Sequence, residues 1–294
     1  MSTLTRLLAA TDFSVYGNYA VTRAALIAKG SGANLDLMHV ATLAPLENLR
    51  LVVAQAHPDL EQRVLEVARK ELRRTGAAIL ERHGISSTVH VVSGSLFQEL
   101  TGHADALSAD LVVLGVKGIA PMRHLLLGST AERLVGKVRC PVLVVKRLPR
   151  EEYRSLLVAV DFSAASLPAV RAARTIAPEA EISLLHVFDV PFEGKLRFAG
   201  VDEDEILNYR LSARQDAMHK LEALGAEAQI PSQDVRLIVI HGSPLPNILE
   251  QEKIQGCDLI VVGKQGENML EELVLGSITR HVMAESLCDV LVSV

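Results

Sequence analysis

The second half of this sequence repeats the first half, and this duplication constrains the fold more than any other feature. The Asp-Phe-Ser stretch Asp12–Ser14 returns as Asp161–Ser163, and the segment Gly115–Val144 returns as Gly263–Val292. Both pairs are separated by about 148 residues, and one near-constant spacing over the whole length indicates that an entire domain was duplicated. A solenoid would repeat a much shorter unit, of roughly 20 to 50 residues.

Two domains account for the 294 residues, since about 150 residues is an ordinary domain size. We predict a first domain over residues 1–147 and a second domain over residues 153–294. The stretch Arg147–Glu152 between them is charged and contains Pro149, as expected of a linker.

Composition argues against several classes of protein. The longest unbroken apolar runs, such as Leu156–Val160, fall far short of the roughly 18 residues that span a bilayer, so we expect a cytoplasmic protein without a membrane segment. A net charge of -5, 3% aromatic residues and no Trp argue against a surface for nucleic acid. Cys140, Cys257 and Cys288 have no CxxC spacing, and we interpret them as small buried hydrophobic side chains.

Short segments rich in Val, Leu and Ile alternate with helical patterns in each half. The apolar segments lack a polar alternation, which predicts parallel strands buried on both faces in a doubly wound, Rossmann-like α/β fold. The strands predicted in the first half are Leu7–Ala10, Asn34–Val40, Thr88–Val92, Leu111–Leu114 and Val142–Val145. The helices predicted there are Tyr16–Lys29, Asp59–Arg82, Leu96–Ala106 and Ser129–Gly136.

Residues typical of helix ends support this pattern. Ser14 and Ser163 stand where N-caps are expected, and Gly30 is predicted to close the first helix. In the second half we predict a surface excursion over Asp189–Asp204 and then a helix over Glu205–Leu224. This helix, like the long helix of the first half, looks amphipathic and is expected to cover the sheet.

Three glycines recur in both halves with the same spacing, two residues and then nine residues apart. They are Gly115, Gly118 and Gly128 in the first half and Gly263, Gly266 and Gly276 in the second half. In each half the glycine loop follows a predicted buried strand and ends at a serine where a helix begins. Glycine lets a backbone approach a ligand closely, and a helix N-terminus offers N–H groups and partial positive charge to a phosphate. The pattern therefore predicts an anion-binding loop, and tight packing of the chain is the alternative explanation for the glycines.

Ligands of open α/β sheets bind in a crevice beyond the carboxyl ends of the strands. The residues at the ends of the other strands should face the same crevice as the glycine loop. Asp12 would accept a hydrogen bond from a base or ribose there, while capping of the first helix is an equally open alternative.

Three histidines, His39, His186 and His241, flank predicted strands. We interpret them as structural histidines, and the equivalent positions of His39 and His186 suggest that these two share one role.

Three features occur together in this sequence: two matching glycine loops, an Asp after the first strand of each half, and the closing stretch Cys140–Val145. In this combination the chain resembles a tandem universal stress protein over nearly its whole length. The resemblance implies two pseudo-twofold-related, five-stranded parallel sheets of the adenine nucleotide alpha-hydrolase-like type. It also implies ATP binding, with Mg²⁺ as an accompanying ion left open, and a role in stress survival. By position, it assigns one ATP site to Thr11, Asp12, Val40, Gly115, Lys117, Gly118, Gly128, Ser129 and Thr130. It assigns the other site to Val160, Asp161, Val187, Gly263, Gln265, Gly266, Gly276, Ser277 and Ile278.

The two loops agree in spacing but differ in charge. Between its second and third glycines the first loop carries Arg123 and His124, whereas the second loop carries Glu267, Glu271 and Glu272. Carboxylates close to a triphosphate disfavour its binding. We therefore expect the first site to bind ATP more tightly.

Catalytic motifs are missing from the sequence. It contains no P-loop, no HExxH, no GxSxG and no paired carboxylates at a recognisable spacing, so we expect a binding protein with at most slow ATPase activity. Two alternatives stay open, namely an ATP-using hydrolase or nucleotidyl transferase on this fold, and a protein-binding scaffold without a ligand.

The terminal strands of the two halves suggest association. Val142–Val145 and Val290–Val294 would each form an exposed apolar sheet edge, which pairing removes. We expect the two halves to pair within the chain. A homodimer and a protein partner of unknown identity are left open.

Overall fold

A computed structural model describes residues 4–42, 59–116, 129–189, 198, 201–265 and 275–294 of the chain. The chain divides into two compact units, residues 2–152 and 153–294. The first unit contains, in order, β1 (Arg6–Ala10), α1 (Val15–Ser31), β2 (Asn34–Ala41), α2 (Leu60–His83), β3 (Ser87–Ser93), α3 (Leu96–Ala106), β4 (Leu111–Gly115), α4 (Ser129–Lys137) and β5 (Val142–Val145).

The second unit repeats this alternation of strands and helices. It contains β6 (Ser155–Ala159), α5 (Ser166–Ile176), β7 (Glu181–Phe188), α6 (Glu203–Glu227), β8 (Val235–His241), α7 (Pro244–Gln255), β9 (Leu259–Gly263), α8 (Ser277–Glu285) and β10 (Asp289–Ser293). A short 3₁₀ turn, Ser232–Asp234, precedes β8.

Each unit has one parallel sheet, and the strand order is the same in both. The first unit runs β3-β2-β1-β4-β5, and the second runs β8-β7-β6-β9-β10. The order reverses direction between the first and fourth strands of each unit, where Leu7 pairs with Leu111 and Leu156 pairs with Leu259. These two reversals are the switch points beyond which ligands of such sheets bind. The predicted fold class, an α/β fold with five parallel strands in each half, is confirmed.

The central strands are buried on both faces, which explains their continuous apolar runs. All four residues of β5 and the first four residues of β4 and β9 are buried. The outer strands β3 and β8 are largely half-buried. Two-sided burial removes the polar alternation that a half-exposed strand would show.

Two helix ends differ from the sequence-based expectation. Gly30 lies inside α1, and Gly32 closes the helix instead, with φ of 74° and its N–H donated to the Ala28 carbonyl. Ser14 is the N-cap of α1, as predicted, because its Oγ accepts the Gly17 N–H. Ser163 is not an N-cap, because α5 begins three residues later, at Ser166, after Ala165.

The long helix α6 packs on β7 and β8, as predicted, but it is less amphipathic than predicted. It buries Ile206 and three small or apolar residues further along, but Leu207, Tyr209 and Leu211 are 51 to 62% exposed. Its apolar residues are therefore not confined to one face. Most of the predicted surface excursion before α6 lies outside the described residues. Among the described helices, none combines the length and the apolar character needed to cross a membrane.

An aspartate holds the start of the first strand in each unit. Asp110 Oδ2 accepts hydrogen bonds from the Thr5 N–H, the Thr5 hydroxyl and the Arg6 N–H at 2.7 to 3.0 Å. In the second unit, Asp258 accepts the N–H groups of Arg154 and Ser155. Both aspartates directly precede the fourth strand, so each fixes the two strands at the switch point to one another.

We expect Asp110→Asn to destabilise the protein in a pH-dependent way. Partial burial raises the pKa of the Asp110 carboxyl, but the hydrogen bonds from Thr5 and Arg6 outweigh burial and lower the pKa below its ordinary 3.8. A carboxyl whose pKa is lowered on folding stabilises the folded state above its unfolded pKa, and this contribution is lost as the pH falls through the folded pKa.

The measurement is urea unfolding followed by circular dichroism at several pH values between about 2.5 and 7. The midpoint of Asp110→Asn should lie below that of the unmodified chain at pH 7, and the two should converge below about pH 4. Asp105→Asn, at an exposed helical carboxylate, is the control. A gap that stays constant across the pH range would contradict the assignment.

Candidate functional site

A cavity of about 400 Å³ lies at the carboxyl end of the sheet of the second unit. Its floor comes from three neighbouring strands, at the point where the strand order reverses. The residues that these strands contribute are Ala159, Val160 and Asp161 at the end of β6, Leu185 and Val187 of β7, and Val262 and Gly263 of β9.

Two helices and the start of the glycine loop complete the wall. Pro244 and Ile248 come from the first two turns of α7. Gln265 follows β9, and the beginning of α8 contributes Gly276, Ser277, Ile278 and Thr279. Every residue of the second predicted site except Gly266, which lies outside the described residues, is thus brought to one cavity.

The N-terminus of α8 is placed in the cavity wall by two hydrogen bonds to the end of β9. The Gly276 N–H donates to the Lys264 carbonyl at 3.0 Å, and the Thr279 hydroxyl donates to the Gly263 carbonyl at 2.8 Å. Gly276 is the N-cap of α8 and provides no side-chain cap. Backbone N–H groups at such a terminus carry partial positive charge and favour an anion.

The rest of the lining is mostly apolar. Val160, Leu185, Ile248 and Val262 are each less than 10% exposed and contribute to the cavity. A cavity of a few hundred Å³ with apolar walls and a few polar groups is typical of sites for small organic ligands. The arrangement is suited to a flat apolar ring with an anionic group attached.

A strained turn follows the first strand of each unit. Phe13 and Phe162 have φ of 64° and 62°, a left-handed conformation that a bulky side chain rarely adopts. In both turns the preceding aspartate accepts the N–H two residues later, Ser14 to Asp12 and Ser163 to Asp161, each at 3.0 Å. The carboxylates therefore stabilise the turn that leads into the helix. This agrees with the alternative that Asp12 acts at the start of the first helix, although the N-cap itself is Ser14. Ligand binding by these aspartates stays a prediction.

Two histidines support the same turns. His39 Nδ1 lies 2.8 Å from the Thr11 carbonyl oxygen, and His186 Nδ1 lies 2.8 Å from the Val160 carbonyl oxygen. Their rings lie against Phe13 and Phe162, with centroids 4.4 and 4.3 Å apart. The predicted shared structural role of His39 and His186 is confirmed. His241 is placed differently, with its Nε2 3.7 Å from a carboxylate oxygen of Asp189.

The first glycine of each loop is required by packing of the protein itself. A Cβ at Gly115 would lie 2.6 Å from the backbone carbon and oxygen of Tyr16, and a Cβ at Gly263 would lie 2.8 Å from the Ala165 Cβ. These two contacts join the end of the fourth strand to the segment entering the first helix. The packing explanation therefore holds for these two glycines, whether or not a ligand binds.

The site predicted in the first unit is only partly described. Thr11, Asp12, Val40 and Gly115 lie at the ends of β1, β2 and β4, as their counterparts do in the second unit. Lys117, Gly118 and Gly128 lie outside the described residues. Ser129 and Thr130 begin α4.

Several lining residues were missed in the sequence. Leu185, Ile248 and Val262 look like ordinary core residues, and only the strand order and the course of α7 bring them to the cavity. Pro244 and Thr279 carry a weak signal, because each stands near the start of a helix at the carboxyl edge of the sheet.

The cysteines do not take part in the cavity. All three are free; Cys257 and Cys288 are buried, whereas Cys140 is only partly buried, in contrast to the prediction. Burial, reinforced by the charges of Asp105 and Asp110, raises the pKa of the Cys140 thiol to about 12. Within the described part of the chain, no three His, Cys, Asp or Glu side chains converge on a position for a metal ion.

Comparison with known proteins gives one consistent result. The model of the family described as the universal stress protein family matches residues 3–146 and again residues 152–293. The chain is 28% identical over 245 residues to universal stress protein MT2052 of Mycobacterium tuberculosis, an alignment that covers 82% of this chain and 74% of that protein. It is 33% identical to universal stress protein YxiE of Bacillus subtilis over 48% of this chain and 98% of that protein.

A solved structure shows the same fold over the full length. The crystal structure of a universal stress protein from Archaeoglobus fulgidus matches with a TM-score of 0.64 and 18% identity, covering 98% of this chain and 97% of that one. At this identity the match shows a shared fold.

We expect Gly115→Ala to destabilise the first unit strongly. The new Cβ would overlap the Tyr16 backbone, which cannot rotate away as a flexible side chain would, at a cost of about 1 to 3 kcal/mol. Gly276→Ala is the matched control, because its φ is −57° and its Cβ would meet nothing closer than 3.5 Å. Urea unfolding of both variants tests this difference, and equal stabilities would rule out the packing role of Gly115.

Proposed function

This chain belongs to the universal stress protein family, and from that premise we propose that it is a stress-response protein that binds an adenine nucleotide in each of its two units. The first unit would hold ATP. The bound nucleotide would change the affinity of the protein for a partner, or shift the equilibrium between two conformations of the protein. A ligand shifts such an equilibrium only if it binds the two states with unequal affinity. The cytoplasm as its location stays a prediction.

The observation that carries the proposal is the cavity of the second unit. Its walls combine apolar strand ends, large enough together for a base, with an uncapped helix N-terminus that suits phosphate. Asp161 stands at the end of β6, where its carboxylate would accept hydrogen bonds from a sugar or base. Strand order and turn are the same in the first unit, so we propose an equivalent pocket there.

The phosphate end of a nucleotide would meet the start of α8 and, in the first unit, the start of α4. Mg²⁺ would arrive with the phosphates rather than be held by a protein cage, because Asp161 is the one carboxylate among the described lining residues. The ion would supply charge neutralisation to the phosphates.

We propose binding without rapid turnover. The described lining of the second cavity includes no histidine, lysine, arginine, cysteine or tyrosine. Its one carboxylate, Asp161, already accepts two hydrogen bonds that hold the turn, and the Thr279 hydroxyl donates to a backbone carbonyl. A general base would have to lie within hydrogen-bond reach of the attacking water. The nucleotide would therefore act as a held ligand.

We expect the first unit to dominate ATP affinity. Gly128→Asp should weaken ATP binding by at least about tenfold, because a carboxylate is added beside the phosphates, whereas Gly276→Asp should cause the smaller loss. Isothermal titration of ATP into both variants measures this ranking. Gly276→Ala, which adds an uncharged methyl group at ordinary van der Waals distance from its neighbours, controls for the size of the side chain.

Mass spectrometry of the denatured, freshly purified protein provides an independent measurement. We expect about one ATP per chain from the pocket of the first unit, by the charge argument above. A larger ATP loss in Gly276→Asp than in Gly128→Asp would reverse the ranking. Failure to detect any nucleotide on purification or titration would favour a scaffold without a ligand.

A further inference from the structure

We propose that the cavity of the second unit, called here the second pocket, selects adenine ligands of low negative charge, adenosine or a monophosphate, over ATP. The inference rests on the proposed function, since it specifies which ligand the same site prefers. It depends on which charged groups line the cavity and which do not.

The described lining contains a single charged side chain, and that charge is negative. Asp161 contributes its carboxylate, and the other lining residues are apolar, hydroxyl, amide or glycine. A triphosphate places several negative charges in such a pocket, whereas adenosine places none and a monophosphate places about two. Each added charge meets the carboxylate without a cationic side chain from the described lining to offset it.

The Asp161 carboxylate is held in position by hydrogen bonds from its own unit. Asp161 Oδ1 accepts both the Ser163 N–H at 3.0 Å and the Ser166 hydroxyl at 3.1 Å. A fixed carboxylate cannot swing away from an anionic ligand, so its repulsion remains.

Lys220, Lys264, Arg280 and His281 of the second unit are not among the residues that line the cavity. Lys220 lies over the Phe162 ring, 5.4 Å from its centroid, and Arg280 is exposed on α8. His281 faces its own helix, with its Nδ1 2.7 Å from the Ser277 carbonyl oxygen. Lys264 contributes its carbonyl to the Gly276 N–H and is absent from the lining.

Among the described lining residues, the N-terminus of α8 supplies the favourable positive charge, which offsets the charge of a monophosphate more fully than that of a triphosphate. A helix contributes roughly half a positive charge at its first turn, and α8 has nine residues and no side-chain cap. Gln265, whose Cα lies beside Gly276, adds no charge. By comparison, Lys117 of the first unit stands where Gln265 stands in the second unit.

The number of phosphates does not change the contacts that the base itself would make. Val160, Leu185 and Ile248 offer buried apolar surface to a ring, which favours adenine equally in adenosine, AMP and ATP. Affinity in the second pocket should therefore decrease as phosphates are added, and raising the salt concentration should reduce that decrease.

The experiment compares adenosine, AMP, ADP and ATP by isothermal titration into the full-length Gly128→Asp chain. The blank is the Gly128→Asp/Val187→Trp chain, in which a larger side chain at a half-buried lining position fills the second pocket for all four ligands. The difference between the two chains reports the second pocket. We expect AMP to bind about tenfold more tightly than ATP at low salt, and the ratio to fall at high salt.

Changing the charge at Gln265 tests the cause. Gln265→Lys, in the Gly128→Asp chain, should raise the ratio of ATP affinity to adenosine affinity about tenfold. Gln265→Met, similar in size and uncharged, is the control and should not change the preference. ATP binding as tight as AMP binding, with adenosine also bound, would overturn the charge preference and leave the proposed function intact. If none of the four ligands binds, the proposed function fails, and this inference fails with it.

Discussion

The close approach of two chain segments at the switch point of each sheet is the constraint on which the rest of the site depends. The segment entering the first helix passes so near the end of the fourth strand that only glycine fits at Gly115 and Gly263. To make this approach the chain turns sharply after the first strand, which places Phe13 and Phe162 in a left-handed conformation. Such strain persists only where surrounding contacts compensate it, and here an aspartate and a histidine do so in both units.

The turn determines the geometry of the pocket as well as its stability. Because the chain leaves the sheet here, the carboxyl ends of β6, β7 and β9 remain uncovered and form the floor of a cavity. The aspartate that stabilises the turn is brought to the edge of the same cavity. A residue with a clear structural role thus stands where a ligand would meet it, so structural and functional explanations for Asp161 are not exclusive.

Duplication preserved this geometry while the charges changed. The strand order, the strained turn and the histidine contact are the same in both units, because they hold the backbone together. Predicted site residues that have no such role differ, as Gln265 differs from Lys117. A fold of this kind fixes where a ligand sits, and the side chains around the pocket decide which ligand is favoured.

The sequence by itself determined the duplication, the alternation of strands and helices and the spacing of the glycines, since these depend on neighbours along the chain. Strand limits such as Val142–Val145 were predicted to the residue, whereas the end of α1 moved from Gly30 to Gly32, because either glycine could supply the left-handed cap. Only the tertiary structure showed that Leu185, Ile248 and Val262 share a cavity. It also showed that the Ala165 side chain, about a hundred residues earlier, leaves no room for a Cβ at Gly263. Hydrophobic patterns identify which residues are buried, but strand order and the crossing of distant segments decide which of them meet.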